Sequence, residues 1–269
     1  MNTNVTEIME NVKGRLGNGY EVKPIVVNKN NGVKLDALDV KERSSNISQV
    51  VYIDNNTNID RIMEALNTAK PSFDMEFFTD YSKVKEKLGV SLSSNPQPGV
   101  VKEIAFADIY MTAYVNVKDN PTDGIVRIKD EHLKFWGIDS KQLFEDALEN
   151  AKQTEKISIV GLFEMVTGLT GNDYIPEDDN PLSDLKIYTN ESRTYGASVI
   201  LYCDLPRECY VIPSSIHEVI VLSAEGLSEE DCIELTNMVR YVNATEVDAV
   251  DVLSNHAYHY IDGEFEILD

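Results

Sequence analysis

Apolar side chains at Val5, Ile8, Met9, Val12 and Leu16 recur every three to four residues. That spacing puts them on one face of an amphipathic helix, which Gly17 and Gly19 end. The period then shortens. Residues 20–28 and 33–41 read as strands flanking Asn30-Asn31-Gly32, residue types that accept positive φ cheaply, and 50–53 adds a third strand. An antiparallel meander is predicted. Ile59, Ile62, Met63 and Leu66 mark a helix over 58–69, and 81–88 a second short one. The opening part therefore reads α-β-β-β-α-α.

Pro96, Pro98 and Gly99 interrupt the pattern as a linker or long connection would. The expected organisation is a sublobe of residues 1–95 and an α+β sublobe of 100–269 within one compact unit. In the second, a long strand over 103–117 is expected to pair with one over 124–128. Helices follow at 130–136 and 140–152, the latter with Leu143, Phe144, Ala147 and Leu148 inward, and a third is predicted over 157–167. Residues 173–184 form an acidic, proline-punctuated loop. Strands at 185–189, 197–203, 209–213 and 217–224 are expected to make hairpins. Ser228 and Asp231 have capping-box spacing ahead of the stripe Cys232, Leu235, Met238, Val239 and Val242. A hairpin of 256–261 and 265–268 closes the chain. The fold class is α+β, antiparallel sheets built from hairpins with helices packed on one face.

Composition adds a charge to this frame. Across 269 residues, 46 acidic side chains face 24 basic ones, a formal charge of −22, and 42% of the chain is hydrophobic. A chain of this kind buries a core without disulfides or structural metal. The acidity is uneven: residues 173–269 carry −17 of the total, and after Lys186 no lysine occurs. Such a surface aids solubility, repels nucleic-acid phosphates and anionic lipid, and attracts basic proteins. The expected partner is a basic protein, with no direct nucleic-acid or membrane contact and the oligomeric state open. No apolar run approaches the ~20 residues of a membrane span. The start of the chain lacks a basic-then-apolar signal. Cys203, Cys209 and Cys232 are odd in number with no CxxC spacing. The expectation is a cytoplasmic protein with reduced thiols.

Nucleotide-binding glycine loops and the GxSxG elbow are missing, and no cofactor is expected. Ser214, Ser215, His217 and Glu218 fall within five residues. Together with the distant His256 they offer hydroxyl, base and acid for a hydrolase. Neighbouring strand residues point to opposite faces, however, so Glu218 cannot orient His217, and a turn whose serines satisfy the backbone is the competing reading. His256 and His259 would share a helix face for zinc, with Asp251 or Asp262, but diverge on a strand. Residues 173–184 lack calcium-loop spacing. Tyr110, Tyr114, Tyr188, Tyr195, Tyr202 and Tyr210, on or beside strands, read as sheet packing with hydroxyls at the rim.

Several stretches carry a resemblance: 28–38 around Asn31-Gly32, 46–48 with Tyr52-Ile53, 132–138 around Trp136, 188–191 with Tyr195-Gly196-Ala197, 212–220 (Ile-Pro-Ser-Ser-Ile-His-Glu-Val-Ile), 238–243 and 252–256. Together they resemble the domain-of-unknown-function 5688 family over almost the whole chain. The resemblance implies a gut Firmicutes source, a setting among mobile-element genes, and no particular reaction. One departure is the Lys102-Glu103 pair where the family has His-Arg, so no site resting on that pair carries over.

Two functions follow as expectations. The first is a non-enzymatic interaction or accessory protein whose acidic part, with Glu229, Glu230, Asp231 and Glu234, engages a basic partner in a mobile-element or host-defence setting. The second is a hydrolase-like enzyme using Ser214 or Ser215 with His217 and His256.

Overall fold

In the computed structural model, which describes residues 3–45, 48–54, 56–68, 75–118, 123–161, 164, 185–213, 215–225 and 227–268, the first apolar stripe forms α1 (Thr3–Leu16). β1 (Tyr20–Asn28) and β2 (Lys34–Glu42) pair from Tyr20↔Glu42 to Asn28↔Lys34. Between them Asn31 and Gly32 take φ of 59° and 69°, as the turn signal predicts. β3 (Ser48–Tyr52) completes the meander on β2. α1 and α2 (Ile59–Thr68) close one face, where Val5, Ile8, Val12, Ile62 and Leu66 meet Val22, Leu38 and Val40.

Two short helices, α3 (Met75–Thr79) and α4 (Tyr81–Val84), lead into β4 (Leu88–Ser93), a strand the sequence pattern does not predict. β4 is buried along its whole length, although Leu88, Val90 and Leu92 alternate with the small or polar Gly89, Ser91 and Ser93 at strand period. Its Ser91 is buried by bonding Thr112 across the sheet, Oγ to Oγ1 at 2.9 Å. The expected long strand over 103–117 is two strands, β5 (Lys102–Phe106) and β6 (Ile109–Lys118), folded at Ala107, whose φ is 44°. β6 pairs with β4, β5 and β7 (Asp123–Arg127). Pro96 to Gly99 therefore connects two strands that both pair with β6. α5 (Asp130–Trp136) and α6 (Ser140–Thr154) follow, and Asp139 caps α6 by accepting the Gln142 N–H at 2.8 Å. α6 buries Leu143, Phe144, Ala147 and Ala151 in the same core as Val90 and Leu92 of β4.

A six-stranded sheet makes up the rest, in the order β13-β12-β10-β11-β9-β8. β8 (Ile157–Gly161) stands where a helix is expected, because Ile157, Ile159 and Val160 favour extended backbone. β9 (Lys186–Asn190) pairs with it. The strand expected over 197–203 is instead a 3-10 helix, Gly196–Leu201. β10 (Glu208–Ile212) and β11 (Val219–Ser223) form a hairpin. α7 (Glu229–Thr245) begins with the capping box: Asp231 accepts the Ser228 N–H, and Ser228 Oγ accepts the Asp231 N–H at 3.3 Å. β12 (Ala257–Ile261) and β13 (Glu264–Leu268) turn at Asp262 and Gly263, both at positive φ. Both faces are covered at the central strands. Cys209, Val211 and Val219 face the main core, while Tyr210, Ile212 and Leu222 lie under Leu235 and Val239 of α7. All strand pairs among the described residues are antiparallel, and the fold is α+β. No described helix is long and apolar enough to cross a membrane. The acidic stretch 173–184 lies outside the described residues.

Candidate functional site

Asn190, at the end of β9, organises the loop that follows it. Its Oδ1 accepts the Thr194 N–H at 3.1 Å, and its Nδ2 donates to Thr194 O at 2.9 Å. Within this loop Arg193 and Tyr195 hold φ of 52° and 54°, a left-handed backbone that costs a bulky residue about 1 kcal/mol or more. Gly196 must follow. A Cβ there would lie 2.2 Å from Thr189 Oγ1 and 2.5 Å from the His217 carbonyl oxygen. The loop so built presents the Tyr195 ring 5.2 Å from that of Tyr114.

His217 lies behind Tyr195. Its Nδ1 accepts the Tyr195 N–H at 3.2 Å, which leaves the ring proton on Nε2, 3.6 Å from Asp251 Oδ1. The two rings stack at 5.8 Å, and the Arg127 guanidinium sits 5.4 Å over the Tyr195 ring while donating to its hydroxyl at 3.2 Å. His217 thus fixes the strained residue. Ser215 supports it in turn, because its Oγ accepts the His217 backbone N–H at 3.0 Å.

In front of Tyr195 opens a cavity of about 720 Å³, walled by Tyr114, Asn116, Glu155, Asn190 and Thr194 among others. Glu155, just past the end of α6, accepts from the Tyr202 hydroxyl at 2.8 Å and from Asn190 Nδ2 at 3.1 Å, both on Oε2. Tyr114 lies flat against Gly89 of β4, where a Cβ would come within 2.5 Å of its ring. Burial first, then the Glu155 carboxylate and Tyr195, push the Tyr114 phenol up, so it stays protonated at neutral pH. A cleft of this size, with aromatic walls and convergent polar groups, has the form of a ligand site.

The other residues expected from sequence sit elsewhere. Ser214 lies outside the described residues. His256 donates its backbone N–H to Ser254 Oγ at 3.1 Å and lines a second cavity of about 510 Å³ with Asn31, Asp108, Arg240 and Asn243. His259 stacks on Tyr210 and lies 3.1 Å from Glu208, and Asp262 is held by Arg207. The suggested zinc residues therefore face different partners: His256, just ahead of β12, lines the second cavity, while His259 on β12 packs on Tyr210. On α7, Glu230 and Glu234 are exposed, whereas Asp231 is committed to the cap, and nothing is described of the Glu229 side chain.

Glu155 and Asn190 carry no functional expectation in the sequence, and Tyr114 and Tyr195 read there only as sheet packing with hydroxyls at the rim. The available signal was the bulky Tyr195 directly before Gly196, inside one of the stretches that carry the resemblance. That stretch and residues 212–220 meet here, through the Tyr195–His217 contact. No curated protein and no solved structure matches the chain. Residues 1–262 match the model of a family of unknown function, DUF5688, and the chain belongs to that family.

Proposed function

We propose that the chain is a non-enzymatic interaction protein that engages a basic partner through the outer face of α7. The observation that carries this reading is the make-up of that face. Glu230 and Glu234 are exposed beside Ile233, which is 51% exposed, and Tyr241, which is 68% exposed. Residues three, four and seven apart share one side of a helix, and the opposite side is already buried through Leu235 and Val239. Carboxylates steer a basic surface into place, and the apolar side chains between them supply area that leaves water on docking. The −17 carried by residues 173–269 has the same sign. An accessory or host-defence-modulating role in the cytoplasm, covering the basic nucleic-acid-binding face of such a partner, is the cellular side of this reading and rests on family analogy.

The non-enzymatic part rests on what Ser215 and His217 do. The serine hydroxyl accepts from the backbone, and the two imidazole nitrogens face the Tyr195 N–H and Asp251. A hydrolase would need one of those nitrogens on the serine hydroxyl. The test is capture of partners by the full chain at ~0.1 M and ~1 M salt, between which the Debye length falls from about 10 Å to about 3 Å. The expected result is a basic partner lost at high salt, lost with Glu230→Gln/Glu234→Gln, and weakened by Tyr241→Ser. A partner indifferent to salt and to these substitutions would overturn the reading.

A further inference from the structure

We propose that the cleft in front of Tyr195 binds an alkyl ammonium or guanidinium, the head group of a lysine or arginine side chain or of a free aliphatic amine. The cleft shares no residue with α7, so this site and the helix face stand or fall separately.

Most polar groups in the wall are already satisfied. Asn190 holds the loop, Asn150 Nδ2 donates to the Leu88 carbonyl at 2.7 Å, and Thr154 Oγ1 donates to Asn150 O at 2.8 Å. Lys156 and Glu191 pair with each other at 3.1 Å. Among the described residues, the groups left open include the Lys87 ammonium, the Asn116 amide and two oxygens, those of the buried Tyr114 and the half-buried Glu155. Tyr114 is 3% exposed, yet its hydroxyl has no hydrogen-bond partner among the described residues and is not sealed from the cavity it lines. Glu155 is half-buried; its two bonds fall on Oε2, leaving Oε1 without a donor among the described residues. Among the described residues no basic side chain forms an ion pair with it.

A partly desolvated carboxylate held only by neutral donors lacks the cation that buried charges ordinarily find. A ligand bringing both a positive charge and several N–H donors completes Glu155 and Tyr114 together. A sugar hydroxyl would satisfy the oxygens and leave the charge uncompensated, and an anion would meet Glu155 directly. The remaining charged groups of the wall are Glu86, Lys87, Lys156 and Glu191. Arg127, the fixed cation behind Tyr195, is not in the wall and is engaged by the tyrosine hydroxyl and ring. Leu88, Ile125 and the Tyr114 ring supply apolar surface for an alkyl stem.

Calorimetric titration of the full chain with agmatine, cadaverine, an end-blocked peptide containing one arginine, and glucose tests the site, at up to about 10 mM ligand. The cationic probes are expected to bind and glucose is not. Equal affinity for agmatine and the peptide would identify a free amine as the ligand, and tighter peptide binding a partner's side chain. Glu155→Gln, which keeps an acceptor for Tyr202 and Asn190, should weaken agmatine at least about tenfold, the loss of one charged hydrogen bond. Tyr114→Phe should weaken it less, Lys87→Gln should tighten it, and Glu230→Gln/Glu234→Gln should leave it unchanged. Circular dichroism confirms that each variant is folded. Absence of binding by both amines, glucose binding as well as agmatine, or undiminished binding by folded Glu155→Gln would overturn the proposal.

Discussion

Gly196 shows how one residue type sets the site. Its neighbours, Thr189 Oγ1 and the backbone of His217 and Asn190, leave no room for a methyl group. Gly196→Ala should therefore destabilise the protein by about 2 kcal/mol or more, read from urea unfolding, because part of the obstruction is backbone and cannot step aside. Cys209 behaves differently from a reactive thiol: burial pushes it up to about 12. In the native protein at pH 8 a thiol reagent should leave Cys209 unmodified by mass spectrometry, and should reach it only in denaturant. The cysteines were legible as unpaired from count and spacing. The role of Ser215 was legible as one of two readings: the turn whose serines satisfy the backbone is what it makes with the His217 N–H, while the choice against a catalytic base depends on where the chain has already been placed.

Among the elements, those whose signal is local were legible. The Ser228 and Asp231 spacing marks the start of α7, and Ser228→Ala should cost about 1 kcal/mol of stability. Elements that depend on distant burial were not. β4 alternates at strand period over only six residues, with Gly89, Ser91 and Ser93 whose burial depends on the neighbours that cover them, and β8 was hidden by apolar residues compatible with either state. α5 adds a pH dependence. His132 packs edge-on against Phe78, and burial, outweighing the nearby Glu131, holds its pKa below the usual histidine value. Below about pH 6.5 the unfolded chain takes up a proton that the folded state resists, so this contribution is present above that pH and lost as the pH falls toward the folded value. The drop in melting temperature from pH 7 to 5 should therefore be smaller in His132→Gln than in the parent.

For the chain as a whole, the α+β class followed from alternating periods and turn residues, while the cleft gathers residues from α6, β6 and the loop after β9 that no local spacing connects. The proposed organisation is a single cooperative unit. Since β4 precedes Pro96 to Gly99 and pairs with β6 beyond it, nicking there should leave the two pieces associated in size-exclusion chromatography. Two separately stable fragments would contradict that. Recognition of a basic partner by α7 is tested most directly by backbone hydrogen exchange of the full chain, alone and with its captured partner. Slowed exchange is predicted across Glu229–Thr245, disappearing with Glu230→Gln/Glu234→Gln. Slowing confined to other elements, with α7 exchanging as in the free protein, would contradict it.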